Sequence, residues 1–374
     1  MSLLAAQDVD DQAREDDDVD KNVAEVSQVR LMARRFKNSK LSLAATILLA
    51  IFYVIMLFSD FFAVNNAQYI NANSIYLPPS KITFTQGKLQ MCPVKQEINS
   101  ETLSVEYKQD CSTPVPIHWF GHGYKYKLLW LIPTDRHLMA VDKPNNLYLW
   151  GGDDQGRDVF SRSIIGSKVS LTIGVISVIA STFLASILGM ISGYFAGAVD
   201  NVIQRISEVI MSIPTLPLWL VLAAVLPKNM SVTSRYLAIS LILTLTVWPG
   251  LARQVRAKVF AFSRSDYVNA ARVAGSGTGR IMMTHLLPNT ASHLIVVACL
   301  SVPGAIAAET SLSFLGVGMM DPAVSWGVLL QTAQKTSVVI TYPWMLIPAA
   351  LVIIAVTCFQ LLGDGLRDAI DPYS

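Results

Sequence analysis

Six stretches each come close to the 20 or so mostly apolar residues that a membrane-crossing helix needs. They are Leu41–Val64, Ile164–Ile191, Val202–Leu226, Leu237–Val255, Ala291–Val317 and Tyr342–Leu362. Runs of this length leave the chain few other ways to fold. The composition agrees: 52% of residues are hydrophobic and 15% charged, whereas soluble domains carry about 25% charge. The expected fold class is an all-α polytopic membrane protein with about six transmembrane helices. The third stretch is the weakest, because Gln204, Arg205 and Glu208 lie near its start and Pro214 and Pro217 bend it. Such breaks are tolerated where neighbouring helices satisfy the freed backbone groups.

The net charge of +2 says little, because the charges are segregated. An acidic head, "DVDDQAREDDDVDK", precedes Arg30, Arg34, Arg35, Lys37 and Lys40. There is no basic start with a short apolar core of the signal-peptide kind. Lysine and arginine concentrate on the cytoplasmic ends of spans. A cytoplasmic N-terminus puts that basic cluster inside, with Arg205, Arg253, Arg256, Lys258, Arg264, Arg272, Arg280 and Arg367, and leaves Lys228, Arg235 and Lys335 in short outside loops. Both termini and the stretch Asp266–Asn289 are then cytoplasmic. The expected division is a cytoplasmic segment 1–40, a first span 41–64, an extracytoplasmic insert 65–162 and five further helices within 163–374. Val23, Val26, Val29 and Phe36 recur at near-helical spacing among the arginines. This reads as an amphipathic helix on the cytoplasmic leaflet; the alternative is a solvated helix end.

The insert is long for a connection. Alternation at Ile82/Phe84 and clustered aromatics suggest a β-rich or irregular unit. Cys92 and Cys111 both lie in it, and in an oxidising space they form a disulfide; otherwise they are two free thiols. Cys299 and Cys358 sit in apolar runs as packing residues. His118 and His122 would share a metal only on a helix, and Gly121 and Gly123 argue against one there. With His137 they read as surface or packing histidines, and no metal site is assigned. Asp153 and Asp154 lack the ligand count of a calcium loop. Gly189, Gly193 and Gly197 form a small-residue row suited to close helix packing.

Between the fourth and fifth apolar runs the chain turns polar and glycine-rich: "DYVNAARVAGSGTGRIMMTHLLPN". Ser265 or Asp266 suits a helix start, and Gly275 suits a left-handed helix end. That predicts one short helix over Tyr267–Ala274. A second runs from Ser276 or Thr278 toward Leu287, with Pro288 marking its end. Ala270, Ala271 and Ala274 would let another surface come close to the backbone. The stretch is either a docking knob or an ordinary loop. Arg253, Arg256, Lys258 and Arg264 nearby are either contacts to an acidic partner or plain positive-inside charge. Glu309 lies within the fifth run. An ionised carboxylate at the bilayer centre costs about 2.5–3.5 kcal/mol, so it faces the bundle interior or a water path. It either touches a substrate pathway or bonds a neighbouring helix.

"NAARVAGSGTGRIMMTHLLPN" resembles the EAA motif of binding-protein-dependent ABC importer permeases, with matches at Ala270, Ala271, Gly275, Leu287 and Pro288. Asn269 stands where the motif usually has Glu. His285 is similar to the dipeptide/oligopeptide/nickel branch. "GGDDQGRDVFSR", "AETSLSFLGVG" and "LLGDGLRDAIDPYS" resemble that branch's approach to the second span, its fifth span and its C-terminus. Together they cover about Leu147–Ser374 and look like the second of two permease types. The resemblance implies a bacterial inner-membrane subunit embedded in lipid. Its implied partners are a homologous second permease, two cytosolic ABC ATPase subunits and an extracytoplasmic solute-binding protein; no nucleic acid is implied.

The resemblance also implies an EAA-type coupling helix carrying Asp266, Tyr267, Asn269, Ala270, Ala271, Arg272, Ala274 and Gly275, with Leu287 and Pro288 beyond it. Ala271 is expected to face the ATPase cleft. The chain has no G-x-x-x-x-G-K-[ST] phosphate loop, so it is read as non-catalytic and without a cofactor, with ATP and Mg on the partner ATPase subunits. The implied function is half of a translocation pathway for peptides or a related solute, coupling ATP hydrolysis to alternating access. The rival readings are a secondary transporter, which would show inverted repeats, and a membrane-anchored sensor with an external ligand domain. Cysteine accessibility in intact cells tests the orientation. Thr278→Cys should resist an impermeant thiol reagent and Ser100→Cys should react; labelling of position 278 from outside overturns the topology.

Overall fold

The computed structural model describes residues 28–85, 87–98, 105–129 and 131–370. Helix α1 (Gln28–Asn38) leads into α2 (Lys40–Leu57), followed by a short turn at Ser59–Phe62. Val23 and Val26 of the expected amphipathic helix lie outside the described residues. After the insert come α3 (Val159–Phe195), α4 (Gly197–Ser212), α5 (Thr215–Ala224), α6 (Val232–Phe262) and α7 (Asp266–Val273). They are followed by α8 (Thr278–Phe314), α9 (Trp326–Gln331) and α10 (Ile347–Ile370). Among the described residues, α2, α3, α6, α8 and the segment around α10 are long and apolar enough to cross a membrane.

The stretch Val202–Leu226 is not one straight span. It forms α4 and α5, which are bent by 86° relative to each other. Pro214 is the cause: it lacks an N–H, and it holds Ile213 extended (ψ 130) before it.

The insert is β-rich. Strands β1 (Ile82–Thr85), β2 (Lys88–Met91), β5 (Val115–Trp119) and β8 (Met139–Val141) form an antiparallel sheet in the order β1-β2-β5-β8. β3 (Val94–Ile98) pairs with β4 (Val105–Gln109), and β6 (His122–Leu128) with β7 (Ile132–Arg136), as antiparallel hairpins. Val64, Met91, Ile117 and Leu147 make its small core. Cys92 and Cys111 are joined in a disulfide, and Cys92 is fully buried. Cys299 is half-buried and Cys358 buried. His118 pairs with Asp142 at 3.2 Å and His122 with Asp135 at 3.0 Å, while His137 is buried beside Tyr124 and Tyr126.

The "GRDVFSR" stretch fastens the insert to the bundle. Asp158 caps α3, accepting from the amides of Phe160 and Ser161. Ser161 Oγ accepts from the amides of Val64 and Asn65, both at 2.9 Å, and so ties the end of the first span to the start of α3. Arg157 Nη1 and Arg162 Nη2 both donate to Asp321 Oδ1, at 3.0 and 3.2 Å, holding the loop after α8 against the same point. The Arg162 side chain is 1% exposed, and such a cation is retained only where carboxylates and carbonyls satisfy it. Its Nη1 also donates to Ala67 O at 3.1 Å.

The bundle is organised on α3, which packs most extensively against α6. Ser163, Ser167, Ser170, Gly174, Ser177, Ser181, Ala185, Gly189 and Gly193 recur every three or four residues and are all buried. A Cβ on Gly189 would lie 2.7 Å from both Ala252 O and Val255 Cβ, and one on Gly193 2.7 Å from Arg256 O. These two positions bear out the small-residue row. Gly197 does not belong to it: nothing stands within 4 Å, and its φ of +58° marks the break between α3 and α4. At the α1 end, the Phe36 ring lies against Gly365 of α10. The insert and the loop after α8 thus occupy one end of the bundle. α1, α7 and the end of α10 occupy the other. Gly189→Val and Gly193→Val should each destabilise the protein by about 1–3 kcal/mol through overpacking. Thermal unfolding of the purified protein in detergent reads this; unchanged midpoints would mean that α6 is not held at this distance.

Candidate functional site

At the end of the bundle away from the insert, α6 stops and the chain turns sharply into α7. Ser265 takes the extended conformation of an N-cap (φ −72, ψ 157), so the new helix starts at once. Its other end closes as a Schellman turn. Gly275 N–H donates to Arg272 O and Ser276 N–H to Ala271 O, each at 3.0 Å, with Gly275 at φ +80°. The predicted left-handed Gly275 is therefore present, and with only a short link α8 begins at Thr278.

Val268 anchors α7. It is 0% exposed and packs with Met190, Val255, Val259, Ile281 and Leu286. Ala271, one turn later, packs half-buried into the same cluster. This corrects the expectation that Ala271 faces outward, since residues three apart share a helix face. The outward face carries Ala270, Val273 and Ala274 instead, and Val273 is 91% exposed. Tyr267, also exposed, accepts from Asn289 Nδ2 at 3.1 Å, and the same amide donates to His285 O at 2.8 Å. Asn269 Oδ1 accepts from Arg272 Nη1 at 3.3 Å, and the Arg272 guanidinium lies 5.2 Å from the Tyr194 ring at the end of α3. Asp266 is exposed in the first turn, where an acidic side chain suits the helix dipole.

Pro288 does not end a second short helix. Residues Ile281–Leu286 form a π-turn, and the chain continues through Leu287 and Pro288 into the spanning part of α8. Pro288 sits in the first turn after the π-segment, where its missing N–H is tolerated. Leu287 packs on the Val268 cluster and Pro288 is exposed. The knob therefore joins a spanning helix without an intervening loop beyond Ser276 and Gly277.

Of the four basic neighbours, Arg256 is committed internally. It makes a two-pronged pair with Asp200 of α4, at 2.5 Å on both oxygens. Arg264 lies 4.3 Å over the Phe260 ring, while Arg253 and Lys258 are exposed. Sequence reasoning overlooked the Arg256–Asp200 pair because its partners are 56 residues apart. It also overlooked Val273, whose signal was a valine on the face opposite Val268 in an otherwise small, polar helix.

Glu309 is far from this surface and 0% exposed. Its carboxylate accepts from Ser170 of α3 at 3.1 Å and from Ser313 at 2.8 Å. Ser170 Oγ in turn accepts from the Trp326 amide at 3.1 Å, so the cluster joins α3, α8 and the start of α9. The helix-bonding reading fits this enclosed geometry.

Residues 185–373 match the family described as binding-protein-dependent transport system inner membrane component. Residues 27–79 match the N-terminal TM domain of oligopeptide transport permease C. The chain is 36% identical over 238 residues to the oligopeptide transport system permease protein OppC of Bacillus subtilis, covering 63% of this chain and 75% of that protein. It is 37% identical over 231 residues to the dipeptide transport system permease protein DppC of the same organism, covering 61% and 70%. It is 33% identical over 229 residues to the glutathione transport system permease protein GsiD of Pectobacterium atrosepticum, covering 61% and 74%.

The two faces of α7 should respond differently to charge. Ala271→Glu forces a carboxylate toward the Val268 cluster and should loosen α7 by about 1–3 kcal/mol, whereas Ala270→Glu should not. Gly275→Val should cost a similar amount, about 1–3 kcal/mol, for a β-branched residue at positive φ. Hydrogen exchange over residues 266–276 distinguishes them; equal exchange in all three variants would contradict the packing described.

Proposed function

This chain belongs to the family of binding-protein-dependent transport system inner membrane components, and from that membership we propose that it forms half of the translocation pathway of an ATP-driven peptide importer. In this reading α7 is the coupling helix, seated in a cleft of a cytosolic ATPase. A homologous second permease completes the pathway, two ABC ATPase subunits bind ATP and Mg, and an extracytoplasmic binding protein delivers the solute. The insert end of the bundle then faces outward, and α1, α7 and the C-terminus face the cytoplasm of a bacterial inner membrane.

The observation that carries the reading is the form of α7. It is a short helix closed at its C-terminal end by Gly275, pinned from below by Val268 and presenting Ala270, Val273 and Ala274 outward. A 91% exposed valine on a rigid helix is an anchor without a pocket, and binding interfaces concentrate their energy in such anchors. The mechanical route inward is short. α7 contacts α3 through Arg272 and Tyr194, and α8 is reached within a few residues. Closure of two ATPases around α7 would thereby move two spanning helices together. The likeness to oligopeptide and dipeptide permeases supports a peptide as the solute; the likeness to a glutathione permease is compatible with a short peptide.

Val273→Asp and Ala270→Glu test this without disturbing the fold, since both side chains are exposed. Both variants should insert and melt like the parent. Each should weaken ATPase association or uncouple hydrolysis from uptake about tenfold, as expected for an interface anchor worth more than 1 kcal/mol. The measurements are subunit stoichiometry, ATPase rate and peptide uptake of the assembly in nanodiscs and proteoliposomes. Unimpaired assembly, hydrolysis and uptake in both would reduce α7 to a connecting loop, and a chain that binds no ATPase would favour the sensor reading.

A further inference from the structure

Among the described residues of the insert, the β6–β7 hairpin ends in the most exposed large apolar side chain, Leu131. Its course can be followed against the first span. At its base, Leu138 N–H donates to Phe61 O at 2.9 Å. Further along, Tyr124 Oη reaches Asp60 O at 3.5 Å. Nearer the tip, Tyr126, Lys127, Leu128 and Leu129 share a cleft with Leu57, Phe58, Asp60 and Lys168. Moving from base to tip therefore retraces the first span from Phe61 back to Leu57, toward the bilayer. α2 ends at Leu57 after 18 residues, about 27 Å of helix, close to the ~30 Å hydrocarbon thickness. Leu57 marks the edge of that layer, and the hairpin tip continues past the residues that meet it.

The described residues on the far side of the tip are apolar and uncovered. Leu131 is 82% exposed and Ile132 59%. They sit beyond a strand whose side chains alternate in role. Tyr124, Tyr126 and Leu128 are half-buried toward the protein, and Lys125 and Lys127 alternate with them and are exposed. The neighbouring lipid-facing surface of α2 is apolar as well, with Val54 and Leu57 exposed. From these we propose that the β6–β7 hairpin is a membrane anchor: Leu131 and Ile132 enter the leaflet adjoining the insert, and Lys125 and Lys127 meet its phosphate groups.

Two features favour lipid over another protein. The hairpin reaches the level of the end of a spanning helix, and Lys125 and Lys127 are exposed beside that level, where long basic side chains reach headgroups. The anchor stands whether or not α7 engages an ATPase.

The test uses the full chain with Cys299→Ser and Cys358→Ser, the disulfide cysteines left paired. A nitroxide is attached at Leu131→Cys or, separately, Ile132→Cys, and the protein is placed in nanodiscs of phosphatidylethanolamine and phosphatidylglycerol, alone and in the assembled transporter. Collisions with oxygen should exceed those with a water-soluble nickel chelate several-fold at both positions. The order should reverse at Arg136→Cys, at the hairpin base. Preference for the nickel chelate at 131 and 132 would place the tip in water and overturn the anchor. Protection from both reagents in the assembly would show a protein partner covering the tip and would overturn it equally.

Discussion

Lipid tails are as apolar as leucine, so no hydrophobic force draws one spanning helix onto another. What remains is contact at close range, and in this protein the contact is supplied by one stripe of small side chains along α3. Its far half, from Ser177 to Gly193, lets α6 approach until the backbone oxygens of Ala252 and Arg256 lie close against Gly189 and Gly193. On a neighbouring side, Gly174 meets Ile306 of α8, where a Cβ would come within 2.6 Å of Ile306 Cγ1. The other spanning helices are placed by reference to this seam, as the shared core of Leu171, Ile306, Trp326 and Ala355 illustrates.

Polar groups in the same bundle work by joining segments that dispersion alone would leave unregistered. Glu309 gathers hydroxyls from α3 and α8 in a fully buried position, and each bond there replaces an orphaned polar group that would cost several kcal/mol in hydrocarbon. Arg157 and Arg162 do the same at the insert end, converging on Asp321. At the other end the Arg256–Asp200 pair fixes the start of α4 to the end of α6. Between these fixed points α7 has a single buried anchor, Val268, and an outward face free for contact.

Much of this was legible in the sequence, for identifiable reasons. Length and hydropathy mark α2, α3, α6, α8 and α10, because a bilayer imposes one thickness on all of them. Gly275 was readable because positive φ at a helix end has few other solutions. The direction of Ala271 was not: in an eight-residue helix rich in small side chains, no strong periodicity distinguishes the buried face from the free one, and the cluster around Val268 decides it. Pro288 was misread as a stop because a π-turn, which no local sequence rule announces, absorbs the register change and lets the helix continue. The long serine stripe of α3 was only glimpsed at its glycines. Serine at helical spacing looks polar in a hydropathy profile, yet its value here is its size.

α3 is 37 residues long and has no proline, an uninterrupted helix of about 55 Å. One end is clamped by Asp158, Ser161 and Arg162 beside the insert; the other touches α7 through Tyr194 and α4 through Ser192 and Asp200. Those two ends make it a lever with a defined fulcrum. A tilt of about 5° about the clamped end sweeps the far end through about 5 Å, roughly one helical turn. The stiffness of the insert's attachment thus sets how far α3 rotates under a given force at its far end, and the length of α3 turns that rotation into travel.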